Sequence, residues 1–179
     1  MHEFGKENKQ KILLLHGAGC TYKMWTPQIE VLQKEYHIYA PTMSGHELND
    51  VDFISSTHEA ELIITWFQKH GINDLLLICG ASLGAHVAAE ILQKRRTFAQ
   101  YAMIESLKAY QYKGIILKLF SYIGNKVIKK CASTKGYMDG TYNQKYASDD
   151  AKCTINNMSK KTLENIMIES GNYQIKQQK

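Results

Sequence analysis

Gly80-Ala81-Ser82-Leu83-Gly84 places one serine between two glycines at the end of an apolar run, "LLLIC", and ahead of a helical pattern, "AHVAAEIL". A serine on a sharp strand-to-helix turn projects its hydroxyl above the sheet, and small neighbours let the backbone pass close to adjacent elements. The helix N-terminus behind it offers N–H groups and partial positive charge to a developing oxyanion. The chemistry this suits is nucleophilic attack on a carbonyl. The plainer reading, Ser82 as the N-cap of a buried helix, uses the same position without the chemistry.

A second stretch, "LLLHGAGC", closes another buried run with His16-Gly17 and small residues. In this it resembles the loop that alpha/beta-hydrolases place after their first buried strand, a resemblance that implies a backbone N–H presented to the same carbonyl, with the N–H groups of Ala18 and Leu83 as the two donors. His16 reads as a structural hydrogen-bonding residue of that loop, and with Gly17 and His46 it borders the expected pocket. A phosphate-binding loop would need G-K-[ST] or a full G-x-G-x-x-G, and neither is present.

Elements that could position these groups follow from periodicity. Residues 11–15, 37–40, 75–79 and 101–105 read as short strands, the first and third continuously apolar as in strands buried on both faces. Helical spacing follows in "MWTPQIEVLQKEY", with Pro27 in its first turn. It recurs in "STHEAELIITWFQKHG", with Ser56 or Thr57 as N-cap and Gly71 at the C-terminus, and from Ser82 to about Lys94. Strands alternating with helices predict a parallel sheet covered on both faces. Beyond Glu105 the pattern changes to a helical stripe, Ile115 to Ile128, a polar turn-rich stretch over 133–150, and a short helix opened by Ser159. The stripe, flanked by Lys118, Lys126, Lys129 and Lys130, suits a cap helix over the site; lying on a membrane surface is the competing reading.

With 179 residues, 44% of them hydrophobic and 22% charged, the chain has the composition of an ordinary globular domain. The net charge of +5 comes from scattered lysines and arginines, which argues against nucleic acid as a partner. No run reaches the roughly 18 apolar residues of a membrane span. No secretory signal opens the chain and the four cysteines are far apart, which implies free thiols and a cytoplasmic location. No His or Cys pair has metal-ligand spacing, and nothing calls for a cofactor.

Together, "LLLHGAG", "YAPTMSGHE" and "GASLGAH", in that order between about Gly5 and Glu105, resemble the alpha/beta-hydrolase superfamily, and most of all its small bacterial esterases and lipases. The middle segment departs from the family's P-D-x-x-G-H-G, with Thr42 in place of Asp and Glu47 in place of the last Gly. The resemblance implies a hydrolase core over 1–106, a helical cap over 107–171 and a polar tail over 172–179. It also implies acyl transfer from a small-molecule ester, with Ser82 as nucleophile.

The family's triad runs Ser, then Asp or Glu, then His. Here the seven histidines are His2, His16, His37, His46, His58, His70 and His86, and none follows His86. Glu105, at the end of the fourth expected strand, is the acid candidate; Asp139, Asp149 and Asp150 read as solvated turn residues. The expectation is therefore a hydrolase truncated before its acid–base limb, weakly active as this chain, with "YAMIE" an open sheet edge that invites self-association. The other class of reading is a non-catalytic domain that binds through the same pocket or edge.

Overall fold

The computed structural model describes residues 1–48, 51–109, 111–133 and 145–175. Five strands form one sheet: β1 (His2–Phe4), β2 (Lys11–Leu15), β3 (His37–Ala40), β4 (Leu75–Ala81) and β5 (Ala99–Glu105). Their order is β1-β3-β2-β4-β5; β1 runs antiparallel to β3 and every other pair is parallel. The helices are α1 (Thr26–Leu32), α2 (Ser56–Lys69), α3 (Leu83–Lys94), α4 (Gly114–Ser133), α5 (Lys145–Asn157) and α6 (Lys160–Asn172).

The continuous apolar run of β2 is explained by burial on two sides. Leu13 and Leu15 face a core shared with Ile63 and Phe67 of α2 and Val87 and Ile91 of α3. Ile12 and Leu14 face the opposite layer, with Trp25 and Ile29. Successive strand residues point to opposite faces, so a strand covered on both must be apolar throughout. Each such side chain taken from water contributes about 2 kcal/mol.

Four expected strands are present, with β4 and β5 two residues longer than the sequence pattern suggested. The sheet is mixed rather than wholly parallel, because the polar segment at the start of the chain forms β1. Three residues are too few for periodicity; His2↔Ala40, Glu3↔Tyr39 and Phe4↔Ile38 pair along the edge of β3. Glu3 also accepts from His37 Nε2 at 3.0 Å, and His2 stacks on Tyr22. The cap of α2 is Ser55, whose hydroxyl accepts from the His58 N–H, one residue before the expected Ser56 or Thr57.

The stretch expected to be turn-rich contains α5 from Lys145 on; Asp139 lies outside the described residues. Of the residues expected as a polar tail, Asn172 ends α6 and Tyr173 is buried against His86 with ring centroids 4.3 Å apart, while 176–179 lie outside the described residues. α4 packs on α6, where a Cβ on Gly171 would meet Leu117 and Phe120, and one on Gly124 would meet Met167. Its outer row, Ile115, Leu119, Ile123 and Val127, is exposed rather than turned inward as a cover. β5 is exposed along all but its first residue.

Helix α3 meets the sheet closely at Gly84, where a Cβ would lie 2.3 Å from Leu15 O and 2.7 Å from His16 O. Both are backbone atoms and cannot step aside alone. Gly71 has φ +67° but open space around it. Gly84→Ala is expected to destabilise the fold by about 3 kcal/mol through overpacking, and Gly71→Ala by about 1 kcal/mol through the left-handed backbone alone. Urea midpoints at matched slopes measure the difference.

Candidate active site

β4 ends at Ala81 and α3 begins at Leu83, so a single residue, Ser82, makes the whole turn. Its backbone is at φ 53°, ψ −111°, a region that costs a non-glycine residue about 1–3 kcal/mol. Neighbours hold it there. Ser82 N–H donates to Glu105 O at 2.9 Å, and Ser82 O accepts from Ala85 N–H at 3.0 Å. A Cβ on Gly80 would sit 2.3 Å from Gly84 O, so the turn closes only with glycine on both sides.

Although Ser82 occupies the N-cap position, its side chain makes no capping bond, and the residue is exposed. The plain N-cap reading of the sequence therefore does not describe this serine. The residue combines a strained backbone with an exposed, uncapped hydroxyl at a strand–helix junction.

The loop after β2 lies alongside. A Cβ on Gly17 would come to 3.6 Å from Ala81 O and 3.7 Å from Ser82 Cβ. Among the described residues neither the Ala18 nor the Leu83 N–H is taken up by a hydrogen bond. Leu83 is the first residue of α3, where an N–H has no partner within the helix.

His16 has both ring nitrogens engaged. Nδ1–H donates to Gly17 O at 2.8 Å, and Nε2 accepts the Met43 N–H at 2.9 Å. Burial, then the neighbouring His46, hold His16 well below its ordinary value of 6.5, so the ring is neutral and ties the β2 loop to the β3 loop. His46 is buried, stands edge-on to His16 at 4.8 Å and bonds Ser44 O through Nδ1 at 2.9 Å. His86, one turn beyond Ser82, donates from Nε2 to Lys108 O at 3.1 Å and stacks flat on Tyr173. Burial lowers its pKa, against the raising influence of Lys108 O and Glu90. Glu105 reaches the turn through its carbonyl, and its exposed carboxylate ends β5. Burial, then that carboxylate, push the Cys79 thiol up, so it stays protonated and is no rival nucleophile.

Sequence reasoning missed Asp150. It is not a solvated turn residue: on α5 it accepts from Thr21 Oγ1 at 2.6 Å and Thr21 N–H at 3.2 Å, and pairs with Lys23 at 3.2 Å, its side chain 11% exposed. Helix α5 thus grips the end of the loop that carries Ala18. No local signal marks this contact, since the partners stand 129 residues apart. Among the described residues no cluster of His, Cys, Asp or Glu could hold a metal ion.

A mixed, mostly parallel sheet with a one-residue serine turn above it and a small-residue loop beside it defines the class, a hydrolase-type α/β fold. Residues 12–122 match the alpha/beta hydrolase family, and the chain belongs to that family. An esterase/lipase-type protein of Mycoplasma pneumoniae is 33% identical over 91 residues, covering 49% of this chain and 32% of its own length. Monoacylglycerol lipase abhd6-B of Xenopus laevis is 29% identical over 85 residues, covering 45% and 25%. This chain thus spans a third or less of these relatives. An alpha/beta hydrolase family structure from Desulfitobacterium hafniense superposes with TM-score 0.78 at 17% identity, over 96% of this chain and 72% of that one.

The buried, neutral His16 makes stability depend on pH. A folded-state pKa below 6.5 means the unfolded chain binds the extra proton, so the stabilisation is complete above pH 6.5 and is lost as pH falls from there toward the folded value. His86 and His2 are shifted the same way. The urea midpoint is expected to be level above neutrality and to decline below pH 6.5. His16→Gln should lower it at neutral pH, by about 1–3 kcal/mol for the unpaired Met43 N–H, and flatten the decline.

Proposed function

We propose that this chain carries the nucleophile and oxyanion half of a serine hydrolase acting on a carboxylic ester or related acyl substrate. The observation that carries the reading is the backbone of Ser82, held at φ 53° with its hydroxyl uncapped and exposed. Strain of this kind persists only where surrounding structure enforces it, and it clusters at reacting groups.

In this mechanism Ser82 Oγ attacks the carbonyl carbon of a small-molecule acyl substrate. The carbonyl oxygen takes up the electron pair as an oxyanion, stabilised by the N–H groups of Ala18 and Leu83. Collapse expels the alcohol and leaves an acyl-serine, which water cleaves to the acid. Gly17 contributes by bringing its loop against Ser82, and His16 and His46 by fixing the loops around it. Asp150, through Thr21, holds the far end of the donor loop. Free thiols at Cys20, Cys79 and Cys153 suit a reducing, cytoplasmic setting. The names of the relatives, an esterase/lipase and a monoacylglycerol lipase, support an ester as the substrate class.

Attack requires a base to take the Ser82 proton. His16 has no free ring nitrogen, and His86 directs Nε2 at Lys108 O. We therefore assign the base to a group other than these two histidines and expect slow chemistry from the chain alone, with Glu105, whose carbonyl accepts from Ser82 N–H, as the acid candidate. The second reading, a domain that binds a carbonyl compound without turning it over, is favoured by the same histidine contacts.

Turnover of p-nitrophenyl acetate is expected to be slow, leaving a residual ~10³–10⁴ over water at most, and to vanish in Ser82→Ala. A fluorophosphonate should label Ser82 weakly, and added imidazole should raise the Ser82-dependent part of the rate by standing in for the base. Turnover that survives Ser82→Ala overturns the assignment. Fast turnover lost in His46→Ala identifies His46 as the base.

A further inference from the structure

α4 carries an exposed apolar row on the side opposite its packing. Leu117, Ser121, Gly124 and Ala132 face α6 and the α5 cluster. On the far side Ile115 is 83% exposed, Leu119 57%, Ile123 50% and Val127 52%. Four-residue spacing puts these on one helix face, and Ile116, 59% exposed, widens it. A row this long left in water is the mark of an interaction surface rather than of ordinary scatter.

Charge selects the partner. α4 contains Lys118, Lys126, Lys129 and Lys130 and not one aspartate or glutamate. Beside it a groove of about 830 Å3 between α4 and α6 has Leu117, Leu163 and Ile168 in its walls and Lys118, Lys126, Lys129 and Lys160 among its lining residues. The one acid there, Glu164, is 3.7 Å from Lys160. Two copies meeting through α4 would set lysines against lysines with no carboxylate on the helix to answer them. An apolar row edged by lysines instead matches a layer that is apolar below and anionic above.

We propose that α4 is a peripheral docking face for an anionic lipid bilayer. The isoleucine and leucine row enters the boundary between headgroups and acyl chains, while the lysines extend their stems along it and keep their ammonium groups among the phosphates. The helix lies in the surface and does not cross it; among the described residues no helix is long and apolar enough to span a membrane. The proposal is independent of any chemistry at Ser82.

The test is co-sedimentation of the whole chain with vesicles of phosphatidylcholine alone and of phosphatidylcholine mixed with phosphatidylserine. Binding is expected only to the mixed vesicles and should weaken as salt is raised. Lys118→Gln with Lys126→Gln should reduce it, at roughly fivefold per lysine. Leu119→Asp, at an exposed position, should reduce it at least tenfold, whereas Leu62→Asp, exposed on α2, should leave it unchanged. The proposal is overturned by no binding to mixed vesicles, by equal binding to both kinds, or by binding indifferent to the α4 variants. It is also overturned if Leu119→Asp dissolves a dimer in sedimentation equilibrium while vesicles capture nothing, which would assign the face to a second copy.

Discussion

The end of β2, the end of β4 and the start of α3 meet at van der Waals limit, and the candidate site depends on that meeting. Gly84 rests against Leu15 O, and Gly80 against Gly84 O, at distances that leave no room for a side chain. Compression of this kind leaves the residue between them little conformational choice. Ser82 adopts φ 53° because β4 arrives parallel to β2, in register Leu15↔Gly80, while α3 must leave at once to pack Val87 and Ile91 on the same sheet. The strain at one serine is the local consequence of joining a strand to a helix through one residue, and the buried layers on both faces of the sheet supply the free energy that holds it.

Polar ties then connect the remaining elements to that junction. Asp150 fastens α5 to Thr21, and Ile155 of the same helix closes over Gly19, where a Cβ would meet it at 2.6 Å. Asp52 receives the hydroxyls of Ser159 and Thr162 at the start of α6, and those bonds hold its carboxyl below the usual range. At the other end of α6, Tyr173 reaches Glu90 and the His86 carbonyl, and its ring covers the His86 imidazole. The helices after β5 are therefore bound to the loop after β2, to the segment that precedes α2 and to the helix that follows Ser82. A shift of α5 or α6 would be felt at the loop after β2 through Thr21 or at α3 through His86, with no contact to the serine itself.

The parts legible in the sequence were those with a strong local cause. β2 and β4 announced themselves because a strand buried on both faces must be apolar at every position, and the serine turn because only small residues fit it. β1 was not legible: it exists by pairing with β3, and three residues of mixed polarity hold no period. α5 was hidden by polarity, since most of "KYASDDAKCTINN" is hydrophilic and only Ala151, Thr154 and Ile155 among its described side chains are fully buried. Asp150 read as a solvent residue for the same reason; its role comes from Thr21, far away in the chain. The apolar stripe of α4 was seen, but periodicity reports that a helix has an apolar face, not what that face meets.

The exposed β5 bears on the site as well as on the sheet edge. Ser82 N–H is held by Glu105 O, the last carbonyl of β5, and Ala81 pairs in register with Glu105. The bond that fixes the nitrogen of the strained residue thus comes from the strand with the least cover, whose Tyr101 and Met103 stand in water. On the other flank Gly84 is wedged against β2, which is buried on both faces. One side of the turn is set by packing that opens only with the whole domain, the other by an edge strand that can fray on its own. Fraying of β5 would release Ser82 N–H and remove a constraint on φ, relaxing the residue toward ordinary backbone and turning its hydroxyl away. Anything that pairs with the free edge of β5 would act in the opposite sense, and sharpen the turn without touching the serine.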